Sequence, residues 1–355
     1  MPPAKPVSAK PMTRLLILGT GSMAAAHARA FRKIKGIDIV AAVETNAERR
    51  AAFAAEHKIA EQFADLDEAI AWGEFDAAAN VTPDAVHHQL LAARKHVFCE
   101  KPLATTYPLA KEMADAAEKR RLINMVNLSY RASPAVHKAR ELATSGELGT
   151  IRHFEAAYRQ SWLVGKQWGD WRTEERWLWR LSTAHGSKGV VGDVGIHIID
   201  FATFAAGSDI ASIAPMVKTF HKAPRDRIGK YKLDANDSFA MTAELKNGAI
   251  GTIQATRFAT GFANELTVVL YGDKGAVSIK TDGKKSSLKI CAGADIDTQT
   301  WRDVKCPPVP TTYERFAAAL ASGKNGDPSF RRAADIQRVL DALLDAGDSE
   351  AVRVG

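Results

Sequence analysis

Four aliphatic residues, Leu15-Leu16-Ile17-Leu18, stop at Gly19-Thr20-Gly21-Ser22-Met23-Ala24, and an alanine-rich run follows to Phe31. An unbroken apolar run, a glycine pair and a run of strong helix formers predict strand, tight turn and helix. A second apolar run covers residues 37–43 and ends at Glu44. The alternation then continues, with helices expected at 47–57, 65–72, 82–94 and 103–121 and strands at 75–81, 96–99 and 122–127. Strands that alternate with helices at this spacing predict a doubly wound parallel sheet, so the first domain is an α/β unit over residues 13–129. Past residue 130 the texture changes. A helix is expected at 135–145, a strand at 151–158 and a helix at 194–206. Strand-like runs follow at 210–220, 237–245, 249–255, 266–271, 276–279 and 287–290, and helices at 313–320 and 331–344 close the chain. Turns such as Asn247-Gly248 and Gly272-Asp273-Lys274-Gly275 separate the strands as in antiparallel hairpins. Residues 130–355 are therefore expected to form an α+β domain on a large, open, mainly antiparallel sheet. Helices would cover one face, and a second subunit is the simplest cover for the other.

Composition narrows the classes. A length of 355 residues favours two domains, and 46% hydrophobic with 25% charged residues is ordinary for a globular chain. No run reaches the ~18 apolar residues of a membrane span. Residues 1–12 are rich in Pro, Ala and Lys and carry no apolar signal core, so a disordered tail and a cytoplasmic location are expected. The net charge of +7 is local: residues 1–37 hold seven basic residues and no acid, and the rest balances at 41 against 41. That distribution describes no nucleic-acid groove. Three scattered cysteines, Cys99, Cys291 and Cys306, argue against a disulfide framework or a zinc site.

Candidate chemistry falls at the carboxyl ends of the expected parallel strands, where ligands bind in such sheets: Gly19, Glu44, Thr82, Glu100-Lys101-Pro102 and Asn127. Backbone amides and a helix N-terminus at Gly19 to Ala24 suit a pyrophosphate, and an acid at Glu44 suits both hydroxyls of a ribose. An ordinary strand–turn–helix with a solvated Glu gives the same letters. Lys101 follows a buried strand and can polarise an oxygen or transfer a proton, although taken alone a surface lysine is the simpler reading. Asp193 and His197 are four apart at the start of an expected helix, so both project from one face. A carboxylate there can orient an imidazole for general-base work, and a helix cap accounts for the same pair. Five of the seven tryptophans lie within residues 162–179. They read as packed core or as a surface for sugar C–H faces.

Together these residues resemble the glucose–fructose oxidoreductase, inositol dehydrogenase and rhizopine-catabolism (Gfo/Idh/MocA) family. The resemblance runs from the glycine turn through Val81-Thr82-Pro83 with His87 and on to Glu100-Lys101-Pro102 and Tyr130-Arg131. It continues with Trp179-Arg180, Asp193 and His197, then Tyr271-Gly272-Asp273-Lys274-Gly275 and Pro328-Ser329-Phe330. It implies a Rossmann domain, an open sheet used for homodimer or homotetramer formation, and NAD(P)-dependent hydride transfer at a sugar or polyol hydroxyl. The implied catalytic residues are Lys101, Asp193 and His197. The implied cofactor set is Gly19, Gly21, Ser22, Met23, Glu44, Thr45, Arg49, Thr82, Pro83, His87, Glu100, Lys101 and Asn127, with no metal. The expected substrate set is Lys101, Arg131, Arg180, Asp193 and His197, and of the tryptophans Trp162 or Trp179 is expected to reach the pocket. Glu44 resembles the NAD-preferring members, and Arg49 leaves NADP open. The segment His185-Gly186-Ser187-Lys188-Gly189 departs from the usual glycine-rich approach to the Asp motif, and the tryptophan segment is longer than is common. Substrate choice therefore stays open between sugars, cyclic polyols and their derivatives. Glycoside cleavage by oxidation and elimination, and a sugar or cofactor sensor of the same fold, are the competing functions.

Overall fold

The computed structural model describes residues 12–82 and 85–346. Nearly all of the expected tail, and Pro83, lie outside them. The chain divides into two compact units, one of residues 1–128 with 310–335 and one of residues 129–309 with 336–355.

The first unit holds a six-stranded parallel sheet in the order β3-β2-β1-β4-β5-β6. Its strands are β1 (Thr13–Leu18), β2 (Ile37–Val43), β3 (Glu61–Phe63), β4 (Ala77–Asn80), β5 (His96–Cys99) and β6 (Asn124–Val126). Leu15 to Leu18, Ala77 to Ala79 and Val97 to Cys99 are all buried, as central strands covered on both faces must be. β3 lies in no stretch read as a strand. It is three residues long with Glu61 and Gln62 exposed, so it carries no apolar alternation. The helix after β5 begins at Tyr107, later than the pattern predicts.

The chain comes back to this unit at its end. Thr311 and Glu314 form a reciprocal capping box on helix Thr312–Ser322. Phe316 and Ala319 of that helix join Leu15, Phe31 and Phe98 in one buried cluster. The same segment closes the free edge of the sheet: Val126 N–H donates to Pro328 O at 2.9 Å, and Phe330 N–H to Asn124 Oδ1 at 2.7 Å. The sequence placed residues 310–335 with the second domain. An amphipathic pattern shows that a helix needs a core, not which core it will meet.

The second unit carries an eight-stranded sheet, β16-β15-β14-β13-β7-β12-β11-β8. Its strands are β7 (Ile151–Gln160), β8 (Ile210–Lys218), β11 (Ser238–Leu245), β12 (Ile250–Thr256), β13 (Asn264–Gly272), β14 (Gly275–Thr281), β15 (Ser286–Ala292) and β16 (Arg302–Asp303). The two-residue strands β9 (Arg227–Ile228) and β10 (Tyr231–Lys232) pair separately. Every neighbour pair in the large sheet is antiparallel except β7 with β12. Helices Pro134–Thr144 and Ile196–Ala206 pack on one face. On the other, β11 and β12 alternate strictly: Ala240, Thr242, Glu244, Ile250, Thr252 and Gln254 are exposed between buried neighbours. Among the described residues no helix is long and apolar enough to cross a membrane.

Phe316→Ala is expected to cost about 3–5 kcal/mol in urea unfolding, the range for emptying a buried Phe site. A loss under ~1 kcal/mol would show that the returning segment adds little to the first core.

Candidate functional site

Gly19 ends β1 with φ of +92°, and a Cβ there would stand 2.8 Å from Val81 Cγ2 and 3.0 Å from Thr82 Cγ2. Only glycine satisfies both the backbone angle and the space. Gly21 has no heavy atom within 4 Å of where a Cβ would be, and it caps helix Ser22–Phe31 without any side-chain hydrogen bond. Ser22 and Met23, on the first turn, are exposed. An open, uncapped N-terminus presents free amides and the positive dipole end, which fits a pyrophosphate.

Glu44, just past β2, reaches back to this turn. Thr20 Oγ1 donates to its Oε2 at 2.7 Å. Its Oε1 accepts from Arg49 Nη2 at 2.8 Å, Asn46 N–H at 3.0 Å and Thr45 Oγ1 at 3.3 Å. Burial pushes the carboxyl up, but the hydrogen bonds from Thr20, Asn46 and Arg49, with the Arg49 charge, override it and hold the group at about 2. Oε1 is thus crowded with donors, whereas Oε2 accepts from Thr20 and has acceptor capacity left for a ribose hydroxyl. These residues fit a dinucleotide, and the ionised Glu44 opposes a 2′-phosphate.

The end of β4 forms the wall beside the turn. Thr82 donates to Asn80 Oδ1 twice, from N–H at 2.9 Å and from Oγ1 at 2.7 Å. That fixes the amide orientation, so Asn80 Nδ2 is the donor to His87 Nε2 at 3.0 Å. His87, buried, therefore positions Thr82 through Asn80 instead of facing a ligand itself. Sequence reading passed over Asn80; its signal was a polar residue closing an all-alanine buried strand.

After β5, Glu100 is held at Oε1 by His27 Nε2 at 2.8 Å and Asn127 Nδ2 at 2.7 Å. Its Oε2 accepts the Lys101 backbone N–H at 3.3 Å. Burial pushes this carboxyl up, and the bonds from His27 and Asn127 outweigh it, with the Lys101 charge adding to them, so it sits below the usual range. Because an ionised carboxylate only accepts, His27 Nε2 carries the proton. Both ends of the Asn127 amide are engaged: Nδ2 also meets Tyr313 Oη at 3.3 Å, and Oδ1 accepts from Thr312 Oγ1 at 2.6 Å. Glu100 and Asn127, expected as cofactor contacts, thus form a brace under the Lys101 backbone. His27, Thr312 and Tyr313 complete it and carried no motif.

In the second unit, Asp193 lies in a π-helical turn, Val191–Gly195, and His197 in the α-helix Ile196–Ala206 that continues it. Their four-residue spacing spans a change of helix type, not one regular α-turn, and π turns concentrate at functional sites. Asp193 Oδ1 accepts from Arg180 Nη1 at 3.4 Å and Oδ2 from Arg257 Nη2 at 3.1 Å. The His197 ring is 8% exposed and meets the Tyr130 ring edge-on, centroids 5.1 Å apart. Tyr130 is fixed in turn by Tyr158 Oη at 2.6 Å and Asn264 Nδ2 at 2.8 Å, and Gln160 Nε2 meets Tyr158 Oη at 3.3 Å. Burial pushes the Tyr130 and Tyr158 phenols up, so both remain protonated donors.

Two expected substrate contacts are corrected. Arg131 is 2% exposed and gives Asp200 a bidentate pair, Nε to Oδ2 at 2.6 Å and Nη2 to Oδ1 at 2.7 Å, with its guanidinium 3.7 Å from the Phe204 ring centre. A buried fork so engaged is an internal strut. Trp162 is also buried, its indole N–H bonded to Gln160 Oε1 at 3.2 Å and its ring stacked on Trp177. Trp179 is 41% exposed and carries the Arg180 guanidinium 4.7 Å over its ring. Among the described residues no cluster of His, Cys, Asp or Glu is set to hold a metal.

A parallel sheet in the order 3-2-1-4-5-6, a glycine turn and an acid closing β2 define a dinucleotide-binding protein, and comparison with known proteins is specific about which kind. Residues 13–128 match the model described as oxidoreductase family, NAD-binding Rossmann fold, and residues 136–278 match the GFO/IDH/MocA C-terminal domain. The chain belongs to the Gfo/Idh/MocA family of NAD-binding oxidoreductases. It is 26% identical over 309 residues to levoglucosan dehydrogenase of Pseudarthrobacter phenanthrenivorans, covering 76% of this chain and 77% of that one. It is 27% identical over 302 residues to glucose-6-phosphate 3-dehydrogenase of Bacillus subtilis, covering 83% and 80%. An oxidoreductase domain protein from Kribbella flavida superposes with a TM-score of 0.82 at 29% identity, over 95% of this chain and 97% of that one. Levoglucosan dehydrogenase in complex with NADH shares the fold at a TM-score of 0.81 and 24% identity, over 94% and 96%.

Glu44 supplies a pH signature. With its folded value at about 2 against an ordinary 4.5, it stabilises the fold fully above pH 4.5 and loses that contribution as the pH falls toward 2. Glu44→Gln should therefore melt below wild type at pH 7, and the gap should narrow steadily below pH 4.5. A gap that stays constant with pH would show that the carboxylate is not held by these bonds.

Proposed function

We propose that this oxidoreductase is an NAD-dependent dehydrogenase of a secondary hydroxyl on a sugar, a cyclic polyol or a sugar derivative. The observation that carries the reading is the Asp193 carboxylate on the π turn, held by two guanidiniums, four residues ahead of a buried imidazole in a chain of this family. Relatives named for dehydrogenation of levoglucosan and of glucose 6-phosphate support the substrate class.

NAD supplies the hydride acceptor. Glu44 takes the ribose hydroxyls at Oε2 and disfavours a 2′-phosphate, and the open Gly21 turn takes the pyrophosphate. His197 accepts the hydroxyl proton of the substrate at a ring nitrogen, while Tyr130 packs against the ring and limits its rotation. Asp193 stays ionised and balances the charge that the imidazole gains. Lys101 would supply an ammonium that favours the developing alkoxide; an exchange of roles between Lys101 and His197 would use the same groups. Trp179 and Arg180, both partly exposed, offer an apolar ring and a donor fork to the sugar. The exposed face of the large sheet, where Met216 is 54% and Ile250 59% exposed, supports a second copy of the chain as its cover.

With levoglucosan, D-glucose, glucose 6-phosphate and scyllo-inositol as probes, reduced-nicotinamide absorbance should rise with NAD and at least tenfold less with NADP. Lys101→Ala and His197→Ala should each lower kcat by ~10²–10⁴ and leave NAD binding within about threefold. Wild-type turnover in both variants would end this mechanism, and sugar cleavage without net NADH would favour glycoside elimination. Met216→Glu combined with Ile250→Lys should halve the mass seen by light scattering or reduce it to one chain; an unchanged mass would put the interface elsewhere.

A further inference from the structure

Behind Asp193 and Arg180 the second unit buries three charges of alternating sign, Arg257, Asp237 and Lys222, and none of these three was visible as a motif. Arg257, directly after β12, is 0% exposed. Its Nη2 donates to Asp193 Oδ2 at 3.1 Å and its Nη1 to the Arg180 carbonyl at 3.2 Å, while the guanidinium lies 4.9 Å over the Trp162 ring. Its backbone N–H donates to the Asp237 carbonyl at 3.1 Å. The Asp237 side chain is wholly buried against the Lys222 ammonium and accepts the Phe220 N–H at 2.9 Å. Asp193 itself is 25% exposed and Arg180 32%, so the row runs from the closed interior to side chains that solvent reaches.

A guanidinium taken fully out of water costs several kcal/mol unless it is paired and hydrogen-bonded, so its partners define its use. Burial pushes the Arg257 group down, and the Asp193 and Asp237 charges oppose that. With no exposed surface, Arg257 has no access to a substrate. It touches the two elements that do present charge outward, the Asp193 carboxylate and the backbone that carries Arg180. Ser187 Oγ donates to the same Arg180 carbonyl at 2.6 Å, so that turn is tied from two sides.

We propose that Arg257 is a positioning residue that keeps Asp193 ionised and sets its spacing from Arg180. The proposal rests on the reading of Asp193 as a functional carboxylate. The two heads of the fork do separate work: Nη2 fixes one carboxylate oxygen, leaving the other to Arg180, and Nη1 fixes the turn from which Arg180 projects. Lysine, with one compact head, cannot bridge both. Asp237 and Lys222 set the place of Arg257 from behind.

The test needs no knowledge of the natural sugar. Full-length protein is labelled with [4-¹³C]aspartate, and the Asp193 carboxyl resonance is assigned by its loss in Asp193→Asn. The carboxyl is titrated in wild type, Arg257→Met and Arg257→Lys, each checked for folding by circular dichroism. The other groups that act on Asp193, Arg180 and the Tyr130 and Tyr158 phenols among them, are the same in all of them. Arg257→Met should raise the Asp193 midpoint by at least about one pH unit, a tenfold gain in proton affinity, and Arg257→Lys should raise it less. A role confined to packing would change the melting temperature and leave the midpoint alone. An unmoved midpoint in whichever of the two variants folds overturns the proposal. Asp193→Asn is assayed on the four probes above. Full turnover there would remove the catalytic reading of Asp193, and the titration would still decide whether Arg257 governs its charge.

Discussion

A charge removed from water must be met by an opposite charge or by a full set of hydrogen bonds, and the functional side chains of this protein are held where that requirement is satisfied. Glu100 is half-buried and kept ionised by His27 and Asn127, and Asp200 is buried and matched by the fork of Arg131. Asp237 is buried against Lys222, and Asp193 has a guanidinium on each oxygen. Each of these pairs costs desolvation, and each stops a backbone or a side chain from drifting. They act as fixed points because breaking one leaves the other charge stranded. Asp193 and Glu44, the carboxylates proposed to serve a site, keep 25% and 10% of their side chains exposed.

In the first unit the brace beneath Lys101 depends on the last part of the chain. Thr312 and Tyr313 complete the hydrogen bonds of Asn127, and Asn127 completes those of Glu100. Tyr313 also packs edge-on against His27 and Phe31, so the helix after the glycine turn and the strand end before Lys101 share one polar and aromatic cluster. A displacement in the returning helix would reach both. The second unit repeats the arrangement with different chemistry. A phenol–amide network of Tyr130, Tyr158, Gln160 and Asn264 sits beside His197, and the charged row sits beside Asp193.

Membership of an NAD-binding oxidoreductase family and the geometry of the turn agree on the cofactor for independent reasons. A turn crowded against Val81 and Thr82 on one side and open at Gly21 on the other has the shape that a pyrophosphate needs. Glu44 has both the charge state and the spare acceptor that a ribose needs. The substrate side is less uniform: Trp179 is open, Trp162 is closed, and Arg180 shares its charge with Asp193. The tryptophan-rich segment therefore builds mainly a core of its own, in which Trp162, Trp171 and Tyr231 are buried together.

Local pattern alone determined much of this protein. Glycine spacing, apolar runs, period-two alternation and hairpin turns specified most of the longer elements, but not the short strands β3, β9, β10 and β16, because helix and strand periodicities and the demand for positive φ at Gly19 act over a few residues. Lys101, Asp193 and His197 stood out as candidates for the same reason. Only the tertiary structure decided which core residues 310–335 join, that Arg131 and Trp162 turn inward, and that Asn80, His27, Tyr313 and Arg257 hold the functional groups. Those outcomes depend on pairings between residues 27 and 100, 127 and 313, or 193 and 257. A buried charge chooses its partner by distance in the fold, and the linear order of residues carries no record of that distance.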